Sequence, residues 1–341
     1  MLCCQAFFAF YLDRINNILK MVKKIRGVRG VMVRIKNFLK KTGKLYHLLR
    51  GIYTFIYKGI VKKILFYLPR ATAHKIIYWE AFGKKLDLKN PKDLNQMIHW
   101  LIVYKYGEKE AELYDKYKAK QYIKSLNIAD LNVAKLYKKY TNVNQIILDE
   151  LPEKFVLKTT HGCSDTEICT NKSTFDFYGA KNRLKKAVKR EFTKWLCEYF
   201  TVNVEKAIIC EEYIEDSQLT VPIDYKFHCF NGITKAVMVC TERNKKARYD
   251  YFDVDWNYLD WSKEEYRCLN ELNKPANWKR MVEIAEQLSS QLPFVRVDLY
   301  NVGGKIYFGE FTFTPFDGLI RNTKQHALDY LGGLITEGGL R

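Results

Sequence analysis

None of the nine cysteines stands in a C-x-x-C pair, and several fall inside apolar, strand-like runs. That argues against a disulfide framework or a structural zinc site and suits reduced thiols in a cytoplasm. His161, Cys163 and Cys169 lie close in sequence but match no zinc spacing. No apolar run free of charge reaches the length of a bilayer span; the stretch Gly51–Pro69 is cut by Lys58, Lys62 and Lys63. Met1–Leu12 is apolar but has neither a basic start nor a clear small-residue cleavage site, so no signal peptide is expected. Acid is nearly absent from residues 1–70, where Asp13 stands alone against 16 lysines and arginines. Those residues carry +15 of the chain's net +19, so the basicity is local and not global.

Within that segment Ile15, Ile18, Leu19, Val22 and Ile25, then Val31, Ile35, Phe38 and Leu39, recur at helical spacing between basic residues. The pattern predicts a basic amphipathic helical segment over residues 1–80. Residues 1–70 are expected to contact an anionic membrane surface, where each lysine or arginine contributes about 1 kcal/mol. The alternative is a helical subdomain packed on the rest with a solvated basic face. Nothing resembling a groove-reading or base-stacking module accompanies the charge, so no nucleic-acid partner is expected. The 341 residues, 48% of them hydrophobic, suffice for two domains, or for one with an extension.

Four later stretches carry polar residues at positions that suggest chemistry. Asn90-Pro91 reads as a turn before a helix starting at Asp93, and Glu112–Ile128 as an amphipathic helix with Asp115 and Lys116 near its start. Phe155–Asn171 reads as a strand carrying Val156, Lys158 and Thr160 on one face, a small-residue turn over His161–Asp165, and a second strand. A lysine leaving a strand beside such a loop suits phosphate oxygens, although a plain hairpin would look the same. Ala207–Gly232 reads as a buried strand ending at Glu211-Glu212-Tyr213-Ile214, a loop, and an alternating strand from Asp224 to a turn at Asn231-Gly232. Its acids suit an adenine slot and ribose hydroxyls, or are ordinary edge charges. Leu131–Leu148 is undecided between helix and strand.

The fourth stretch, Arg296–Thr314, alternates polar and apolar residues on both sides of Val302-Gly303-Gly304 and reads as an antiparallel hairpin. A three-residue loop would pair Asn301 with Lys305 and set Arg296 opposite Glu310, with Asp298 diagonal to Glu310. A two-residue loop would put the two polar sets on opposite faces. The three-residue loop is the expectation, because it gathers Arg296, Asp298, Glu310 and Thr312 on one patch. Two neighbouring carboxylates repel unless a cation lies between them, and hard oxygens of this kind suit Mg²⁺. A solvated face with a simple salt bridge is the plainer alternative.

Taken in order, the strand lysine with its small-residue loop, E-E-Y-I, D-Y-K-F, and R-V-D with G-E-F-T resemble the ATP-grasp superfamily. More closely, they resemble its teichuronopeptide-biosynthesis (TupA-like) branch, found with bacterial cell-surface polysaccharide genes. The resemblance runs from Asn90-Pro91-Lys92 through Asp115-Lys116-Tyr117, Leu151-Pro152 and the four stretches to Gly318. It implies an α+β ATP-grasp fold, two α+β subdomains clamping a nucleotide, preceded by the basic helical segment. The implied divisions are a lead-in and possible acceptor region at 81–114, a subdomain at 115–210 with the phosphate lysine and lid, and one at 211–335 with the adenine hinge and metal site.

Position by position, the resemblance implies ATP and Mg²⁺ as cofactors. Lys158 and Lys116 would hold phosphates, with the loop from His161 and Gly162 through Ser164 to Asp165 as a lid. Glu211, Tyr213 and Ile214 would form the adenine hinge, and Asp224, followed by Lys226, would reach the ribose. Asp298, Glu310 and Thr312 would bind metal, and Arg296 with Lys158 would act on the transferring phosphoryl group. Three departures stand out: Ser164 where a second glycine is frequent, Thr312 where the wider superfamily has asparagine, and no α/β domain in front. The implied reaction is carboxylate–amine ligation through an acyl phosphate. The implied partner is a polysaccharide or lipid-linked glycan with a carboxylate or amine, met by a cytoplasmic enzyme peripheral at the inner face of the plasma membrane. A sugar kinase, a glycosyltransferase of capsule or lipopolysaccharide synthesis, or a membrane-bound scaffold are the alternatives. The one D-x-D, Asp253-Val254-Asp255, lies in an aromatic, structural-looking segment and does not favour the glycosyltransferase.

Overall fold

The computed structural model describes residues 62–163, 165–216, 219, 221–243 and 246–337. The chain divides into two units, Met1–Ile64 and Leu65–Arg341. Apart from Lys62–Ile64, the first unit lies outside the described residues, and with it most of the basic segment expected at a membrane.

Leu65–Arg341 begins with helices α1 (Arg70–Phe82), α2 (Leu94–Tyr104), α3 (Glu108–Tyr114) and α4 (Lys116–Leu126). Strands β1 (Leu131–Val133), β2 (Leu136–Tyr140), β3 (Phe155–Thr159) and β4 (Glu167–Cys169) lead to helix α5 (Phe177–Val188) and strand β5 (Ile208–Glu212). Next come β6 (Asp224–Phe230), β7 (Ile233–Thr241), β8 (Arg248–Phe252), β9 (Tyr258–Leu259) and helix α6 (Trp278–Ser289). Strands β10 (Phe294–Val302) and β11 (Lys305–Thr312) and helix α7 (Gln325–Glu337) complete it. No helix among the described residues is long and apolar enough to cross a membrane.

Local chemistry sets the helix starts that the site depends on. The Asp93 carboxylate accepts from the Gln96 N–H at 2.9 Å and caps α2. Asp115 accepts from the N–H groups of Tyr117 and Lys118 at 2.8 and 3.0 Å and caps α4, which stops at Asn127 in the left-handed conformation. Cap loss at such a position costs about 1 kcal/mol. The start at Asp93 agrees with the sequence reading, whereas Glu112–Tyr114, read as the beginning of the second helix, end α3, and α4 begins only at Lys116.

The strands form two sheets. One has seven strands in the order β1-β11-β10-β6-β7-β8-β9, the other four in the order β2-β5-β3-β4. Leu131–Leu148, undecided from sequence, splits between them: β1 lies parallel to β11, and β2 antiparallel to β5. Both are short, and their partners lie far along the chain, so no local pattern could announce them. β5 pairs with β3 and belongs to the smaller sheet, so a division at 210/211 falls inside this strand. Likewise α1 spans the expected division at 80, and Tyr78 at its end packs with Leu86, Leu88 and Val103.

Each face of the large sheet has its own chemistry. Tyr225, Phe227 and Cys229 of β6, Val237 and Val239 of β7, and Val295, Val297 and Leu299 of β10 pack in one core with Trp278, Met281, Ile284, Ala285 and Leu288 of α6. Each fully buried large apolar side chain there contributes on the order of 1.5–3 kcal/mol. By strand alternation the opposite face carries Asp224, Lys226 and His228, Arg296 and Asp298, and Glu310 and Thr312.

The β10–β11 hairpin corrects the loop expected from sequence. Val302 pairs with Lys305, so the loop has two residues, Gly303 and Gly304, at φ 57° and 75°. That double left-handed turn matches the twist of the flanking strands. Such a loop alone would put Glu310 on the face opposite Asp298. The register then shifts: Leu299 pairs with Phe308 but Asp298 with Glu310, leaving Gly309 as the extra residue of a bulge. The bulge restores parity and sets Asp298 beside Glu310 and Arg296 beside Thr312. A Cβ on Gly309 would lie 2.9 Å from the Asp298 carbonyl oxygen and 3.2 Å from the Tyr300 ring. Gly309→Ala is therefore expected to lower unfolding stability by about 1–3 kcal/mol, read from urea denaturation. An unchanged midpoint would mean that the bulge tolerates a side chain.

Candidate functional site

A cleft of about 830 Å³ lies between the sheets. Lys158 and Glu211 line it from the small sheet, and Lys226, Arg296, Glu310 and Thr312 from the large one. Tyr213 and Ile214, at the exit of β5, also line it.

On the large sheet the charges neutralise one another. Arg296 grips Asp298 with two hydrogen bonds, Nε to Oδ1 and Nη2 to Oδ2, both 2.7 Å, and its Nη2 also donates to Thr312 Oγ1 at 3.1 Å. Lys226 Nζ lies 2.5 Å from both Asp224 Oδ2 and Asp298 Oδ2. Arg243 Nη1 is 3.5 Å from Asp224. Asp224 and Asp298 are buried behind these cations and do not line the cleft, whereas the Glu310 side chain is 37% exposed within it. Burial alone would raise the Glu310 pKa; Lys116, Lys226, Arg296 and Lys158 outweigh it and hold the group at about 2. Burial, with Arg296 adjacent, pushes His228 down to about 3, so it stands neutral beside the arginine.

Across the cleft, Lys158 Nζ lies 2.5 Å from Glu211 Oε1, and Lys120 Nζ lies 3.0 Å from Glu211 Oε2. Glu211, expected at the adenine hinge, thus faces lysines, while Tyr213 and Ile214 follow it along the lining. Lys116 donates to the Gly162 carbonyl at 2.7 Å and lies 3.4 Å from Glu310, bridging the loop and the large sheet. The loop's first half is further tied by Tyr114 Oη donating to the His161 carbonyl at 3.0 Å, and by a hydrogen bond between Thr159 and Asp165. Gly162 and Cys163 line the cleft; His161 is buried beside it, and burial lowers its pKa to about 4. Ser164 lies outside the described residues.

Of the two carboxylates expected to hold Mg²⁺, Glu310 is the one that lines the cleft. Magnesium usually takes one or two carboxylates and fills its remaining positions with water and phosphate oxygens. Glu310 offers such an oxygen in the cleft with the Thr312 hydroxyl 3.5 Å from it, whereas both oxygens of Asp298, expected as a metal ligand, are taken by Arg296 and Lys226 away from the cleft. Among the described residues no group of three or more His, Cys, Asp or Glu could hold a metal by itself.

A family profile for TupA-like ATP-grasp proteins matches residues 96–336. The chain belongs to the TupA-like ATP-grasp family. With membership comes the ATP-grasp fold. No curated protein matches by sequence. Among solved structures, the chain is similar to the D-alanine–D-alanine ligase from Bacillus anthracis complexed with ATP, at 15% identity and TM-score 0.43, covering 67% of each chain. It is also similar to the Helicobacter pylori D-alanine–D-alanine ligase, at 14% identity, 71% and 69% coverage and TM-score 0.34. A D-cycloserine synthetase matches at 14% identity, 67% and 71% coverage and TM-score 0.38.

Sequence reasoning missed three residues of this ATP-grasp cleft and its surroundings. Lys120 follows Lys116 by one helical turn on α4, so the spacing K-x-x-x-K was a usable signal. Arg243 and Glu198 had none, because their partners come from distant strands. Glu198 is buried in the cleft lining, where its carboxyl accepts from the Thr314 hydroxyl. Beside it, Phe316 and Asp317 hold left-handed φ values of 52° and 60°, each of which costs about 1–3 kcal/mol for a residue other than glycine. The D-x-D segment is a turn in which Asp253 accepts from the N–H groups of Asp255 and Asn257 at 2.9 and 2.8 Å.

Burial raises the Glu198 pKa from its ordinary 4.5 to about 8, and Asp317 adds to the shift. A pKa raised on folding stabilises fully below the unfolded value, and that contribution is lost as pH rises through the folded one. Between pH 4.5 and 8 the wild type is therefore expected to lose up to about 1.4 kcal/mol per pH unit from this group. Denaturation across that window should show a flatter profile for Glu198→Gln; identical slopes would contradict a buried neutral carboxyl.

Proposed function

We propose that this ATP-grasp protein joins a carboxylate to an amine through an acyl phosphate, and that one partner belongs to a bacterial cell-surface polysaccharide or its lipid-linked precursor. The observation that carries the ligation reading is the convergence on one cleft of Lys158 and Lys116 with the Arg296, Glu310 and Thr312 face. The glycan partner is supported by the family resemblance, and the basic residues 1–70 would hold the enzyme against an anionic inner leaflet.

ATP enters with its base toward Tyr213 and Ile214 and its phosphates toward the lysines. Glu310, with Thr312 beside it, would hold Mg²⁺, which would supply Lewis-acid offset of phosphate charge. Arg296 faces the γ-phosphoryl group with a guanidinium already fixed by Asp298, so little reorganisation is needed as charge develops. A substrate carboxylate oxygen bonds to the γ-phosphorus while the bridge to the β-phosphate breaks, releasing ADP. The amine nitrogen then bonds to the acyl carbon as the carbon–oxygen bond to phosphate breaks, and the amine's proton leaves with phosphate. Glu198, Thr314 and Asp317 line the cleft where that amine would approach.

Thermal unfolding with Mg²⁺ and ATP, ADP or a panel of nucleotide sugars tests this reading. ATP or ADP at a hundred times its dissociation constant should add about 2.7 kcal/mol. Glu310→Gln should abolish that gain and also lower unliganded stability modestly, because the carboxylate offsets Lys116, Lys226, Arg296 and Lys158. Asp298→Asn should also abolish it, but at a folding cost of about 3–5 kcal/mol, because it strands the buried Arg296 and Lys226 charges. Stabilisation by a nucleotide sugar alone would replace the ligase with a glycosyltransferase.

A further inference from the structure

Lys120 is more buried than the carboxylate it meets: the side-chain exposures are 4% for Lys120 and 8% for Glu211, against 14% for Lys158. Lys158 and Glu211 line the cleft and Lys120 does not, so a ligand there meets Lys158 but has no direct access to Lys120. One carboxylate is therefore shared by two ammonium groups, and the triad keeps a net charge of +1 at the cleft wall. Burial would raise the Glu211 pKa, yet Lys158 and then Lys120 outweigh it and hold the group ionised.

We propose that Lys120 is a positioning residue for nucleotide phosphates: by occupying Glu211 Oε2 it leaves Lys158 only partly neutralised and free to turn to a phosphate. The inference rests on the nucleotide-binding reading above and extends it to a residue outside the cleft. With Lys120 removed, Glu211 and Lys158 form a closed, neutral pair, and a phosphate must break it to recruit the lysine. With Lys120 present, Glu211 remains compensated when Lys158 leaves, so no bare buried carboxylate results. The geometry of α4 fits this role. Lys116 and Lys120 are four residues apart on one helix, and the first reaches Glu310 and the Gly162 carbonyl while the second reaches Glu211.

Calorimetric titration of the full chain with Mg·ADP and, separately, with adenosine tests the proposal. Lys120→Met should weaken ADP about tenfold, as expected for a lost interaction with a charged group, and leave adenosine unchanged. Lys120→Arg should restore ADP binding. Lys120→Gln, which keeps a hydrogen-bond donor but no charge, should behave like Lys120→Met and serves as a second variant if the methionine chain does not fold. Equal ADP affinity in wild type and both uncharged variants would overturn the role of Lys120. An equal loss for ADP and adenosine would make it merely structural, and would overturn it too. A wild type that binds neither ligand would overturn the nucleotide reading itself, and this inference with it.

Discussion

The pairing of Arg296 with Asp298 inside the large sheet is the constraint on which the rest of the site depends. A carboxylate with no exposure is tolerable only when its charge is matched, and Arg296 matches it through two parallel hydrogen bonds. Lys226 adds a second cation and carries the compensation on to Asp224, where Arg243 joins. The polar face of the sheet is thus a continuous charge network resting on the aromatic and aliphatic layer that α6 covers. Its rigidity suits a surface that must offset phosphate charge without rearranging.

The opposite wall is built differently. Lys158, Glu211 and Lys120 form a cluster with surplus positive charge, and Lys116 reaches from α4 to the loop and to Glu310. One fixed wall and one with lysines free to change partners is a reasonable arrangement for capturing a polyphosphate. Elsewhere on the lining the neutral carboxyl of Glu198, the Thr314 hydroxyl and the left-handed Phe316 and Asp317 make a third environment. A cleft with three environments suits a reaction that brings together a nucleotide, an acid and an amine.

Much of this was legible from residues alone. The helix start at Asp93, the strand bearing Lys158, the turn at Asn231-Gly232 and the two-faced hairpin are all local patterns, and local sterics and hydrogen bonding determine them. The hairpin's register was not. Its expected three-residue loop led to a shared polar patch, whereas the protein arrives there by a two-residue loop and a bulge at Gly309. A glycine in a strand marks a bulge only as one reading among several, and what selects it here is the close approach of the Asp298 backbone.

The sequence by itself determined which side chains carry charge, which strand faces they occupy and the ATP-grasp family to which the order of motifs belongs. Alternation and capping act within a few residues, so they can be read without the fold. Only the tertiary structure decided that Lys226 sits between Asp224 and Asp298, that Glu211 is shared by Lys120 and Lys158, and that Glu198 is a buried carboxyl against Thr314. Those pairings join positions as much as 116 residues apart. They are set by how two sheets and a helix pack, because a buried charge takes whatever partner the packing brings within reach.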